Sequence, residues 1–399
     1  PDLISRTTAS DIKRVAEKYF QPYQRTIGWY LGDGKNISQA TNTLNRFAKG
    51  KSLESQAAQQ KSTRTQHRTR TLKNGITLIV QKSTRSPAVF FRAVIPSNQI
   101  EPATSYSSND PLWGYTSVTR KFLKKDLATV IPEMRKVFDG SFPTVDPDPG
   151  NQDDPEFRLN STLEEMLALK KRSGKNTPTV IVLVGDIDEE NALTMLANAF
   201  SDLKYALRPQ KSNFNITERE KTIRIPGKAQ SQLGYAVPAA SPSDPSVYAW
   251  KMLRYIMSHD YEGRLGIELI AKQGLLYGFS SGYTSDGDKG WVYITTGVNP
   301  DKLSAVKQRF QEIMRGLVSN PPSSAEIAEA KNHLIGRRKT AYQSNQEISG
   351  FLATEWIENG KVLSQEEFEH RINSVSEQAV RNIVPSFLAG VTAIIDCSL

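Results

Sequence analysis

Gly263-Arg264-Leu265-Gly266-Ile267-Glu268-Leu269-Ile270-Ala271-Lys272-Gln273-Gly274-Leu275-Leu276-Tyr277-Gly278-Phe279-Ser280-Ser281 is the stretch on which the reading of this chain turns. Leu265, Leu269 and Ile270 recur at helical spacing, so its first half is expected as a helix with one apolar face. Gly274 suits a left-handed C-cap, where the absence of a Cβ removes the steric cost. The small and aromatic residues after it predict a strand beginning around Leu276.

Outward from this segment, strands and helices alternate. Residues 180–184, all valine, isoleucine or leucine, lack polar alternation and predict a strand buried on both faces. Gly185-Asp186-Ile187-Asp188 then turns the chain into a helix capped by Asp188, with Glu189 and Glu190 favourable to its dipole. Its apolar face is Ala192, Leu193, Leu196, Ala197 and Phe200. Residues 223–225, 232–237 and 291–297 read as strands, and 247–257 and 301–318 as helices. Ser323 and Ser324 cap a further helix. Earlier in the chain, Asn74-Gly75 followed by a β-branched run predicts a hairpin, and 89–95 another strand. Residues 96–113 are polar and aperiodic, 124–138 return to a helix, 144–154 read as a loop, and 162–171 as a short helix.

The two ends repeat each other. Residues 8–20 carry Ile12, Val15, Ala16, Tyr19 and Phe20 at the positions of Val380, Ile383, Val384, Phe387 and Leu388 in residues 376–388. Both runs start with a Ser or Thr cap and lead into a short strand, 26–31 in one case and 392–395 in the other. Such a repeat implies tandem modules, the chain opening with the last helix and strand of one and closing with those of the next.

Composition limits the function classes. At 399 residues, 38% hydrophobic and 23% charged, the chain is expected to be globular with two or three domains. No apolar run approaches the length of a membrane span. The first residues show neither a basic region nor an apolar core, so no signal peptide is expected on this chain. The single cysteine, Cys397, excludes an intrachain disulfide and leaves the redox compartment undecided. Much of the +9 net charge lies in residues 46–73, a Ser/Thr/Gln-rich run without interleaved aromatics. That composition favours a solvated linker over a nucleic-acid site, and nucleic acid is not expected as a partner.

The opening segment resembles the helix–turn–strand of the M16 (insulinase- or pitrilysin-like) zinc peptidases, which usually reads Arg-Leu-x-x-Glu-Leu-Arg-x-Lys-x-Gly-Leu-x-Tyr. The hairpin after residues 72–75, the strand-Gly-Asp-x-Asp-helix ending at Phe200-Ser201-Asp202-Leu203, residues 330–336 and Phe368-Glu369-His370-Arg371-Ile372 also resemble the family, from about Thr71 to Ile395. The resemblance implies an α+β fold of repeated two-layer α/β sandwich modules, of the LuxS/M16 metallohydrolase-like type, with mixed, largely antiparallel sheets. It divides the chain into the end of a preceding module (1–40), a basic polar linker (41–70), a shortened domain without the zinc motif (71–175) and a C-terminal-type domain (176–399).

Family members bind zinc through His-x-x-Glu-His plus a distant Glu. The four histidines here, His67, His259, His333 and His370, never form that motif. Glu369-His370 keeps its last two letters, but Glu366 stands where the first His belongs. No metal ligand is therefore expected in this chain. The family's cleft Tyr corresponds to Tyr277, which the resemblance assigns to substrate binding and oxyanion contact. Its Arg partner, seven residues earlier, is Ile270 here, and Arg264 matches a separate structural Arg. Cys397, the Gly185-Asp186 turn and the Asp286-Gly287-Asp288 loop carry bland readings.

The implied function is the zinc-free half of an M16 peptidase, inactive alone. It would form a cleft wall for an unfolded peptide while a zinc-bearing half or subunit, its partner, supplies the metal. The alternative is a non-catalytic scaffold or partner subunit.

Overall fold

The computed structural model describes residues 8–20, 67–96, 107–109, 115–138, 153–169, 179–203, 214–340 and 343–398. Residues 1–64 and 65–399 form two units. In the first, helix α1 (Ala9–Tyr19) occupies the predicted place. Thr8 Oγ1 accepts from the Asp11 backbone N–H and the Asp11 carboxylate accepts from that of Thr8, a capping box. The strand expected at 26–31, the linker up to Arg64 and residues 97–106 lie outside the described residues.

In the second unit Asn74-Gly75 closes its hairpin. Gly75 has φ +83°, and β1 (His67–Thr71) runs antiparallel to β2 (Thr77–Lys82). The Asn74 amide donates to the carbonyls of Phe200 and Leu203 at 2.8 and 3.1 Å, tying the turn to the end of a helix 126 residues later. With β3 (Ala88–Ile95), β4 (Ser107–Asn109), β5 (Thr116–Leu123) and β6 (Val180–Gly185) the hairpin builds a six-stranded sheet, order β1-β2-β6-β3-β5-β4. Only β2 and β6 pair parallel. The apolar run 180–184 is central and buried on both faces, as its lack of alternation predicts. The second sheet contains β7 (Glu220–Arg224), β8 (Ser231–Ala239), β9 (Ser280–Ser285), β10 (Gly290–Val298) and β11 (Val391–Asp396). Its order is β7-β11-β8-β10-β9, again with one parallel pair, β7 and β11. Both sheets are therefore mixed and largely antiparallel, the architecture the resemblance implied.

Each sheet is covered by helices on both faces, and the period-2 alternation of strand side chains assigns the faces. In the first sheet Leu78, Val80, Ile181 and Leu183 meet α2 (Leu127–Lys136) and α4 (Glu189–Phe200). Asp188 caps α4, accepting from the Asn191 N–H at 2.8 Å. On the opposite face Ile79, Val180, Val182 and Val184 meet Ile348, Leu352 and Ala353 of α9 (Asn345–Asn359). In the second sheet Leu233, Tyr235, Val237, Val292 and Ile294 meet the thick helical layer of α5 (Val247–Ser258), α7 (Leu303–Ser319) and α8 (Ser324–Thr340). The closing elements α10 (Gln365–Ser374), α11 (Glu377–Asn382) and α12 (Val384–Leu388) complete that layer. The other face, Ala236, Val391, Ala393 and Ile395, is covered by Leu159, Leu163 and Met166 of α3 (Pro155–Met166).

The two sheets thus exchange helices. Helix α3 lies in sequence between strands of the first sheet yet packs on the second, and α9 lies between strands of the second yet packs on the first. Each buried Leu or Ile in these helices contributes roughly 1.5–3 kcal/mol of transfer free energy. Arg92 on β3 donates from Nε to Ser349 Oγ at 3.1 Å and Asn345 donates to the Ala88 carbonyl at 2.7 Å, which fixes the register of α9. The exchange also moves the boundary between sheets. The first sheet ends with β6 and its helix α4 at Phe200, and the second starts at Glu220, so the division expected at residues 175/176 falls ahead of the first sheet's own central strand. A doubly buried run carries no mark of which sheet it joins. Strand β5 fills residues 116–123, between the aperiodic run and the helix, where no element was expected. Two further expectations differ. Helix α3 starts at Pro155, with Asp154 as its cap, rather than at Thr162. His67, Arg68 and Arg70, read as part of the linker, lie in β1, where Arg68 and Arg70 pair with Glu190.

Candidate functional site

Segment 263–281 leaves the end of α5 and crosses the helical layer of the second sheet. Helix α6 (Arg264–Gly266) is a single turn that continues as a π-helix, Ile267–Lys272. Gly266 has a packing reason: a Cβ there would lie 1.8 Å from the Asp260 carbonyl oxygen, so only glycine lets the helix pass over the turn after α5. Leu265 and Leu269 are buried and Ile270 packs partly buried against the same core. Gly274, at φ +58°, terminates the helix as predicted, and its carbonyl accepts from Lys302 Nζ at 3.3 Å, a cation at a helix C-terminus.

Beyond the cap, Leu276 is buried and Tyr277 is 94% exposed, its hydroxyl in solvent. Strand β9 begins at Ser280 rather than at Leu276. The reason is local: β9 pairs with β10 only from Ser280 opposite Thr295, and the Gly278 carbonyl, two residues upstream, is taken by the Thr296 hydroxyl at 2.8 Å. The chain between cap and strand is irregular, which turns Tyr277 outward instead of locking it into the ladder.

The cations around the segment are committed elsewhere. Lys272 Nζ lies 2.6 Å from Glu268, which also receives Arg309 at 2.6 Å. Arg264 grips Glu326 of α8 through Nε and Nη2 at 2.7 and 2.9 Å and donates to the Asn320 carbonyl at 2.6 Å. Glu326 also accepts from the backbone N–H of Ser323, closing the α8 cap. The Arg264 guanidinium, followed by the Ser323 donors, holds the Glu326 carboxyl at about 2 against its ordinary 4.5. These pairs rim a groove of about 580 Å³ between the π-helix and α7, with Ile267, Ile313 and Gly316 between them. Arg264 is structural, as its family position implied.

Two histidines read separately in sequence are brought together. The rings of Tyr255, His259 and His333 lie 4.2–4.6 Å apart, centroid to centroid, where the end of α5 meets α8. The Tyr255 hydroxyl donates to Glu329 at 3.2 Å. Burial, then the charges of His259 and Arg254, lowers His333 to about 4, and burial raises Tyr255 to about 12. Beside them is a cavity of about 30 Å³, room for one water. His259 stands at the C-cap of α5. The individual residues gave no signal of this cluster, because 74 residues separate His259 from His333.

Among the described residues no group of three His, Cys, Asp or Glu could hold a metal ion. His370 is exposed on α10 and His67 lies in β1. Cys397 is buried, its thiol pushed up by burial and its backbone N–H donating to Ser231. Among the described residues no helix is long and apolar enough to cross a membrane.

Residues 162–334 match the family described as the peptidase M16 inactive domain. Comparison with curated protein sequences gives no match. Among solved structures, the peptidase M16 inactive domain from Pseudomonas fluorescens aligns with a TM-score of 0.65 at 15% identity, over 84% of this chain and 98% of that one. A protease from Helicobacter pylori gives 0.65 at 12%, over 83% and 99%. A chain of complex III2 from Candida albicans, with Inz-5 bound, gives 0.64 at 14%, over 82% and 94%. At these identities the structural likeness establishes the fold.

Proposed function

Because residues 162–334 belong to the M16 peptidase family as its inactive domain, we propose that this chain forms a cleft wall for an extended peptide whose cleavage is carried out by a zinc-bearing half or subunit. The observation that carries the reading is Tyr277, 94% exposed at the end of the family segment and held on a capped, core-anchored turn. A phenol so placed can donate a hydrogen bond to a scissile carbonyl oxygen as negative charge develops on it, an interaction stronger in the transition state than in the ground state. Leu276 in the core and Lys302 at the Gly274 carbonyl position the turn. The metal would supply the activated water from outside this chain.

Tyr277→Phe in the complete, active protein tests it. Turnover of a fluorogenic peptide is expected to fall about 100- to 1000-fold, the usual cost of removing one oxyanion donor. KM is expected to change little and the unfolding curve not at all. Unchanged turnover would reduce Tyr277 to a surface residue.

A second reading, a non-catalytic scaffold or partner subunit, is favoured by Ile270. The position that supplies a permanent charge in active relatives here packs an aliphatic side chain against the core. The fold shared with a chain of complex III2 supports the same reading. It predicts an assembled protein that binds no zinc and cleaves no peptide.

A further inference from the structure

Arg254 on α5 is only 8% exposed, and among the described residues no carboxylate pairs with it. Its Nη1 donates to Ser281 Oγ at 3.3 Å, and that hydroxyl in turn donates to the Ser258 carbonyl at 3.3 Å. The last residue of the family segment therefore holds the guanidinium by one edge. Nε is buried and meets no acceptor. A cation left in this way is costly, because neither an ion pair nor a full set of hydrogen bonds offsets its desolvation. Arg338, equally enclosed, shows the usual remedy: Glu355 grips it at 2.7 Å and the Leu363 carbonyl accepts from its Nη2 at 2.7 Å.

A second cation lies beside Arg254. The Tyr255 and His259 rings meet His333, while Tyr248, earlier on α5, and Arg338, later on α8, both meet Phe368. Contacts that advance along α8 retreat along α5, so the two helices cross antiparallel. One turn beyond His333 is Arg337, which this register sets level with Arg254, one turn before Ser258. Arg337 is exposed, and no carboxylate pairs with it either among the described residues. Burial first, then the charge of Arg337, pulls the Arg254 guanidinium below its ordinary value. The acids of this region are engaged or turned outward. Glu329 accepts from the Tyr255 hydroxyl, and Asp260 is exposed beside His259 at 4.0 Å. Two guanidiniums thus approach Ser281 with no carboxylate of this chain between them.

We infer that Arg254 and Arg337, with Ser281 at the start of β9, form a binding site for one oxyanion, a carboxylate or a phosphate. Guanidinium groups suit either ligand, because their paired N–H donors match two oxygens of one anion. Arg337 meets the anion at the surface, and Arg254, fixed by Ser281, anchors it from beneath. The site stands whether the chain lines a cleft or serves as a scaffold, because it uses neither Tyr277 nor a metal.

Calorimetric titration of the 399-residue chain with inorganic phosphate and, separately, with acetate tests it, with chloride holding the ionic strength constant. Saturable binding is expected. Phosphate bound much more tightly than acetate would mark a phosphoryl group as the ligand, and comparable binding would mark a carboxylate. Arg337→Ala, at the surface, is expected to weaken binding at least about 10-fold, the worth of one charge-assisted hydrogen bond. Arg254→Met is expected to abolish binding while the ligand-free unfolding midpoint stays unchanged or rises, since an unpaired buried charge is removed. No saturable binding of either ion would overturn the inference. So would binding that both variants retain, which would be diffuse attraction to a chain of net charge +9. A ligand-free Arg254→Met protein markedly less stable than the parent would overturn it too, because the arginine would then be a structural donor to Ser281.

Discussion

Glu326→Gln would break the clamp that pins the family segment to α8. The carboxylate is held at about 2 rather than 4.5, which caps its contribution at about 3 kcal/mol. The Glu326 side chain is 31% exposed and that of Arg264 16%, so solvent screening brings the expected loss to about 1–2 kcal/mol. Glutamine can still accept one hydrogen bond from Arg264, and Arg264 keeps the Asn320 carbonyl. The sign follows from the lowered pKa. The stabilisation is fully present above the unfolded value of 4.5 and is lost as pH falls through the folded value of about 2. Urea unfolding followed by circular dichroism should show the variant less stable by that amount at pH 7. The gap should narrow steadily below pH 4.5 and vanish near pH 2. A gap absent at pH 7, or one that stays constant from pH 5 to pH 3, would refute the reasoning.

Leu352→Ala in α9 should cost about 2–5 kcal/mol, because Leu352 is almost fully buried and its neighbours are strands of a sheet far from it in sequence. Owing to the helix exchange, calorimetry should show both sheets melting together and earlier; a separate early transition of the first sheet alone would contradict the interlock. His333 should titrate near pH 4 by proton NMR, well below the ordinary histidine value of 6.5. Its neutral form is the one the fold accepts, so its contribution is present above 6.5 and declines as pH falls toward 4. His333→Gln should flatten that acid limb, and an unaltered limb would remove His333 from the account.

Most elements were legible because their signals are local. Asn74-Gly75 fixes a turn by backbone conformation, Asp188 and Ser376 cap helices by side-chain hydrogen bonds, and residues 180–184 announce a doubly buried strand. What escaped depends on contacts distant in sequence. Strand β5 is polar because it lies toward the sheet edge, between β3 and the three-residue β4, and nothing in Thr116–Leu123 repeats cleanly. The Asp154-Pro155 start of α3 was a readable cap-and-proline signal masked by the acidic loop before it. Which sheet a helix covers is absent from its periodicity, so the exchange of α3 and α9 emerges only in three dimensions. The site divides in the same way. Family letters located Tyr277, and its exposure follows from the Thr296 contact that delays β9, while the meeting of His259 and His333 follows from the crossing of α5 and α8.

The central claim is that this chain lines a peptidase cleft completed by a zinc-bearing half. The most direct measurement is zinc content and peptide cleavage of the complete assembled protein, with this chain alone alongside. The account predicts about one zinc and measurable cleavage in the assembly, and neither in the chain alone. An assembly that carries no zinc and leaves every peptide intact would contradict it and establish the scaffold reading instead.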